Sequence, residues 1–209
     1  MKQRVFNLII LDESGSMTRI ESQAIDGVNE TIQTICAAHR KHKEQEHYVS
    51  LVSFNSDCVK TIYDKIEADR VEALTNRQYQ PACCTPLYDA MGNALTKLRK
   101  SVADDDTVLV TIITDGYENA SSEYNASSIN ALVKSLKSKG WVFTYIGANQ
   151  DVEKVASTIS ITNTLSFSAD SAGTCAMFAK EASARSRFFD KLSSCDSTED
   201  LQEGYFDGN

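Results

Sequence analysis

Three stretches of the chain, residues 5–11, 108–113 and 141–146, are almost continuously apolar and rich in β-branched and aromatic residues. Their length and composition are those of parallel strands covered on both faces, so they predict the centre of a sheet. Elsewhere Val59, Thr61 and Tyr63 alternate with Cys58, Lys60 and Ile62, and Leu165 and Phe167 alternate with Ser166 and Ser168. A period of two with polar partners suits sheet edges. Residues 48–54 lie between these extremes. Only Asn55, Ser56 and Asp57 join them to the Cys58 run, too short a link for a parallel crossover, so these two strands are expected to form an antiparallel hairpin.

Helical periods separate the strands. Ala24, Val28, Ile32 and Ile35 share one face, as do Leu87, Met91, Leu95, Leu98 and Val102, then Ile129, Leu132, Val133 and Leu136, and finally Phe178, Ala182, Arg185, Phe189 and Leu192. Shorter helices are expected at residues 69–74 and 151–159. Strand, helix, hairpin and helices, followed by strand and helix repeated, imply an α/β layer sandwich with right-handed crossovers and helices on both faces of the sheet. No internal repeat or linker interrupts the order. Residues 1–192 therefore read as one domain, and residues 193–209, with five acids and no Lys or Arg, as an acidic tail loosely attached to it.

At 209 residues, with 42% hydrophobic and 24% charged positions but only 9 Gly and 2 Pro, the chain suits one folded domain and excludes a disordered or collagen-like one. A net charge of -8 has the wrong sign to attract nucleic acid or an anionic membrane. No apolar run is long enough to cross a bilayer. No small-residue cleavage site follows residues 5–11, so the start reads as mature protein in the cytoplasm. Cys36, Cys58, Cys83, Cys84, Cys175 and Cys195 have neither zinc-type spacing nor the density of a disulfide scaffold, and reduced thiols are expected.

Chemistry gathers at strand ends. The first strand closes in Asp12, Glu13, Ser14, Gly15, Ser16, a DxSxS pattern, and the fourth in Thr114, Asp115, Gly116. If those strands are neighbours, Asp12 and Asp115 share one rim of the sheet, where open α/β folds bind ligands. Carboxylates and hydroxyls without imidazole or thiolate form a donor set for a hard cation such as Mg²⁺ or Mn²⁺ rather than zinc. A third contribution comes from Pro81, Ala82, Cys83, Cys84, Thr85 and Pro86, a loop holding both prolines of the chain and therefore stiff enough to present Thr85.

On these residues the chain resembles, over about residues 4 to 192, a von Willebrand factor A domain with a metal-ion-dependent adhesion site, of the stand-alone intracellular bacterial type. The resemblance implies a three-layer, doubly wound, mostly parallel six-stranded sheet of order 3-2-1-4-5-6 with one antiparallel edge strand. It also implies that Ser14, Ser16 and in some states Thr85 hold the cation through hydroxyls, with Asp12 and Asp115 acting mainly through bound waters. The resemblance further implies that a partner protein's Asp or Glu carboxylate completes the site and that no catalysis is required. Many members carry glycines before the threonine where this chain has Cys83 and Cys84, so the loop's backbone departs from the family pattern.

Other readings of the same residues exist. Asp12, Ser14 and Ser16 also suit a helix N-cap. Asp12 could be the nucleophile of a Mg²⁺-dependent phosphatase or phosphotransferase, although Ser14 stands where such an enzyme places its general acid. Cys83 and Cys84 could form a redox-sensing pair, or be buried packing groups. His39, His42 and His47 read as a solvated basic helix end, and residues 104–106 as a charged turn. Asn29, Asn119 and Asn125 begin glycosylation sequons expected to stay unmodified. In the tail, Glu199, Asp200, Glu203 and Asp207, with Tyr205 and Phe206 as anchors, could reach a neighbouring molecule's cation site, or the terminus could simply fray.

Overall fold

The computed structural model describes residues 2–194, 201 and 204–207. Six strands, β1 (Gln3–Asp12), β2 (Gln45–Phe54), β3 (Val59–Glu67), β4 (Thr107–Thr114), β5 (Val142–Ala148) and β6 (Asn163–Phe167), form one sheet of order β3-β2-β1-β4-β5-β6. Every neighbouring pair is parallel except the β2–β3 hairpin. Among the described residues the helices that cover it are α1 (Glu21–Lys41), α2 (Leu87–Arg99), α3 (Ala126–Lys137), α4 (Val152–Thr158) and α5 (Ser171–Leu192).

The continuous apolar run of β1 splits between two cores. Val5, Ile9 and Leu11 face one layer, and Phe6, Leu8 and Ile10 the other. α1 and α5 cover the first face with Ala24, Val28, Ile32, Ile35, Phe178 and Phe189, while Leu87, Met91, Leu95, Leu98, Ile129, Val133 and Leu136 of α2 and α3 fill the second. α1 and α5 approach so closely at Gly27 that a methyl group there would fall 2.0 Å from a ring carbon of Phe178. Among the described residues no helix is long and apolar enough to cross a membrane. Leu11 pairs with Ile113 across β1 and β4, and the sheet winds outward in opposite senses from these two strands. Asp12 and Asp115 thus stand at the carboxyl ends flanking the switch point.

The helix expected at residues 69–74 is absent apart from a 3-10 turn, Ala68–Arg70. Asn29 of α1 explains the loss: its Oδ1 accepts from the Leu74 N–H at 2.7 Å and its Nδ2 donates to the Leu74 carbonyl at 3.0 Å. The N–H that a helix ending at Leu74 would direct to the carbonyl four residues back is taken by a side chain, and residues 71–75 have no regular structure. Val102 lies beyond the end of α2.

The basic cluster read as a solvated helix end is also different in part. His47 sits on β2 with 0% exposure, and His42 Nε2 donates to Asp190 Oδ1 at 2.8 Å. The amide of Gln45 donates to the Phe189 carbonyl and Ser193 Oγ, so its Oε1 must accept, which fixes the proton of His47 on Nε2 at 2.8 Å. Burial first, then the fields of His39 on α1, His42 just past its end and Arg185 from α5, push the His47 pKa down to about 3. The folded value lies below the unfolded one of about 6.5, so the unfolded chain binds more protons between them. The stability held by neutral His47 is complete above pH 6.5 and falls away toward pH 3 at about 1.4 kcal/mol per pH unit. His47→Gln should therefore flatten the loss of stability between pH 6.5 and 4.5. Urea unfolding at several pH values checks this, and parallel slopes would refute it.

Arg185, counted on the apolar face of α5, is fully buried. Its guanidinium donates to Glu181 at 2.8 Å, to Asn7 of β1 at 3.0 Å and to Thr111 of β4 at 2.8 Å. Tyr205 donates to Glu181 at 3.1 Å, and both Leu201 and Tyr205 are buried in the α1–α5 core. Of the acids placed in the tail, Glu199, Asp200 and Glu203 lie outside the described residues, as does Cys195. At the opposite rim Asp106 is buried and takes both Arg4 Nε and Nη2, at 2.8 and 2.7 Å.

Candidate metal centre

β1 stops at Asp12 because its carboxylate turns the chain. Oδ1 accepts from the Ser14 N–H at 2.7 Å, and Oδ2 accepts from Thr114 Oγ1 at the end of β4, at 2.6 Å. The Asp12 carbonyl accepts from Tyr79 Oη at 2.7 Å. A 3-10 turn, Gly15–Ile20, then leads into α1. Within it Ser16 Oγ donates to Asp115 Oδ1 and lies 3.2 Å from Ser14 Oγ. Thr85 is held by Asn119, whose Oδ1 accepts from the Thr85 N–H at 2.8 Å. A methyl group on Gly116 would fall 3.6 Å from Ser16 Oγ and 3.7 Å from Thr85 Oγ1, so both hydroxyls flank that glycine. The fold thus draws Asp12, Ser14, Ser16, Thr85 and Asp115 together from three loops.

These groups do not form an open rim. Asp12, Ser14, Thr85 and Asp115 are each at most 3% exposed, and only Ser16 faces solvent freely. Burial raises the Asp12 pKa to about 6 against the hydrogen bonds of Thr114 and Ser14, with the nearby Asp115 charge pushing the same way as burial. Asp115 is likewise raised by burial, and Ser16 and Arg19 offset only part of the rise. Asp115 Oδ2 is buried with no hydrogen-bond partner. Leaving a carboxylate oxygen unpaired in this way is costly unless something positive meets it.

The residues fit a hard divalent cation. They supply two carboxylates and three hydroxyls, an all-oxygen set, with an orphaned oxygen among them. Among the described residues no group of three or more His, Cys, Asp or Glu side chains is arranged to hold a metal, so a cation here would depend on hydroxyls. Sequence reasoning missed three supports: Tyr79, Thr114 as the second anchor of Asp12, and Glu13. Glu13 is fully buried, its Oε1 accepting from Lys60 Nζ and the Gln80 N–H, both at 2.6 Å. Only Thr114 carried a signal, its place in the TDG sequence.

Cys83 and Cys84 are exposed, not packed inside. Cys83 has φ of 63°, the left-handed region that favours glycine, which is the position where the family pattern calls for one. Cys83→Gly is expected to stabilise the fold by about 1 kcal/mol, the lower end of the left-handed penalty after allowing for glycine's greater freedom when unfolded. That corresponds to melting roughly 2–4 °C higher for a chain of this size. An unchanged or lower melting temperature would show that the Cys83 thiol's bond to Asp57, at 3.1 Å, outweighs the strain.

The family model of the von Willebrand factor type A domain matches residues 8–184. The chain belongs to this family. Among solved structures, the A domain is similar to the PilB minor pilin of Streptococcus sanguinis, at 14% identity and TM-score 0.60, covering 100% of this chain and 64% of the pilin. It is similar to the vWF domain of the type V pili tip protein Mfa5 from Porphyromonas gingivalis, at 11% identity and TM-score 0.62, covering 88% of this chain and 96% of that one. It is also similar to manganese-loaded TRAP protein of Plasmodium vivax, at 17% identity and TM-score 0.52, covering 84% and 72%. This A domain therefore spans less than two thirds of the pilin it matches, and at such identities the likeness is one of fold. No curated protein matches the chain.

Proposed function

We propose that this A domain is a divalent-cation-dependent protein-binding module. Ser14, Ser16 and Thr85 would hold Mg²⁺ or Mn²⁺ through their hydroxyls, with Asp12 and Asp115 supporting it mainly through water. The bound ion supplies an electrophilic position that a partner's Asp or Glu carboxylate fills. The chain's own residues do the rest. Thr114 and the Ser14 N–H fix the Asp12 carboxylate, Asn119 fixes Thr85, and Ser16 orients Asp115. The observation that carries the reading is the buried, unpartnered Asp115 Oδ2 beside hydroxyls that a hard cation accepts. A manganese-loaded relative in fold supports it.

The phosphatase alternative meets an obstacle in the same geometry. Both Asp12 oxygens are engaged at 2.6 and 2.7 Å and the residue has no exposure, a poor disposition for a nucleophile. A cytoplasmic location is supported by the five described cysteines, all free and four of them exposed. The test is capture of partners from native extract with Mg²⁺ or with chelator. Wild type should retain a partner only with Mg²⁺, and Ser14→Ala with Ser16→Ala should retain none. Equal capture in chelator would contradict the cation-dependent reading.

A further inference from the structure

A cavity of about 280 Å³ opens on the second face of the sheet, between the β2–β3 hairpin and the C-terminal half of α2. Leu8 of β1 and Val52 of β2 form its apolar floor, Ala94 and Leu98 of α2 one wall, and Val59 and Thr61 of β3 the other. The edge strand is bent where it borders this space. Tyr63 pairs with Leu51 and Ile66 with Val49, so Asp64 and Lys65 both stand opposite Ser50. Such a bulge bends a strand and re-aims its side chains, and Lys65 takes the step in the left-handed region at φ 52°. Val59, at the rim, is one of two large apolar residues left exposed among the described residues. Ligand pockets usually hold about 300 to 1,000 Å³, so a cavity just below that range suits a single-ring compound rather than a nucleotide.

The charges around the cavity do not balance. Lys97 Nζ donates to Asp64 Oδ2 at 2.9 Å, and Lys65 Nζ to Asp64 Oδ1 at 2.5 Å. Two ammonium groups, Lys65 first, hold the Asp64 carboxyl below its usual range. One positive charge is left over, in a chain whose net charge is -8. Ser50 is 7% exposed, and its Oγ accepts from the Lys65 N–H at 3.0 Å. Its own hydrogen meets no acceptor among the described residues, so an unspent buried donor lines the same cavity as the Lys97 ammonium.

We propose that this cavity binds a small carboxylate with an apolar body, of the arylacetate class, its ring on Leu8, Val52 and Ala94 and its carboxylate shared by Lys97 Nζ and the Ser50 hydroxyl. Bonds of this kind, with a charge on one or both sides, are about twice as strong as neutral ones. An amine would meet two ammonium groups instead, and a neutral amide would leave the surplus charge unanswered. The site shares no residue with the candidate cation site and does not rest on the function proposed above.

The experiment titrates the full chain, in chelator, with phenylacetate, phenylacetamide and phenethylamine, and follows the backbone amide resonances. Saturable shifts at Ser50, Val52, Thr61 and Ala94 are expected, with phenylacetate at least ~10-fold tighter than the amide and the amine weakest. Lys97→Met keeps the apolar stem of a half-exposed side chain and removes its ammonium, so it should fold as wild type and bind phenylacetate no better than the amide. Asp64→Asn frees both ammonium groups and should tighten phenylacetate at least ~3-fold. Equal affinity for the three probes, shifts confined to other residues, or no saturation by roughly 10 mM would each overturn the proposal. So would phenylacetate binding that is unchanged in Lys97→Met or not tightened in Asp64→Asn.

Discussion

Replacing Arg185 by methionine is expected to lower the free energy of unfolding by about 3 to 5 kcal/mol, the cost of leaving one partner of a buried ion pair uncompensated. Among the described residues Glu181 would be left with 0% exposure, Tyr205 as its donor, Thr31 at 3.4 Å but shared with the Gly27 carbonyl, and no counter-charge. Asn7 Oδ1 would lose its donor too, and with it the tie between α5 and the central strands β1 and β4. The double change Glu181→Leu with Arg185→Met removes both charges and should recover most of the loss, because apolar groups of similar volume often replace such a pair at little cost. Urea denaturation of the three chains measures this. A single variant within about 1 kcal/mol of wild type would mean that the ion pair is not what anchors α5 to the sheet.

The second large effect has opposite signs with and without metal. Asp115→Asn in chelator is expected to stabilise the fold by about 1 to 2 kcal/mol, because a buried carboxylate with an unpaired oxygen is exchanged for a neutral amide. In saturating Mg²⁺ or Mn²⁺ the order should reverse. A ligand that binds only the native state at a hundredfold excess over Kd adds about 2.7 kcal/mol, and the variant forgoes that gain. Thermal melts of both chains in chelator and in millimolar cation would show two crossing responses. If the variant is less stable in both conditions, Asp115 is a structural cap and not half of a cation site.

Much of this arrangement could be read from residue order. The continuous apolar runs of β1, β4 and β5 and the alternation in β3 and β6 placed centre and edge, because burial on one or two faces writes itself into local periodicity. The DxSxS and TDG sequences end two strands that proved adjacent, which brings Asp12 and Asp115 together. What stayed hidden depends on partners far along the chain. Nothing near Leu74 announces that Asn29 will take its backbone groups, and nothing near His47 announces Arg185 and Phe189. Arg185 fits the period of α5 as if it were apolar, but Glu181, Asn7 and Thr111 make it acceptable there. The burial of the strand-end cluster stayed hidden for the same reason. Tyr79 and Thr114 close over Asp12 from other segments, and a loop's own residues do not report what covers it.

Occupancy of the Asp115 region by a hard cation is the claim on which the proposed function turns, and calorimetric titration of chelator-treated protein with MnCl₂ tests it most directly. A saturable exchange of heat at a single site is expected in wild type, competed by Mg²⁺ and absent from Asp115→Asn and from Ser14→Ala with Ser16→Ala. Heats in wild type that match dilution into buffer, or equal those of the variants, would contradict it.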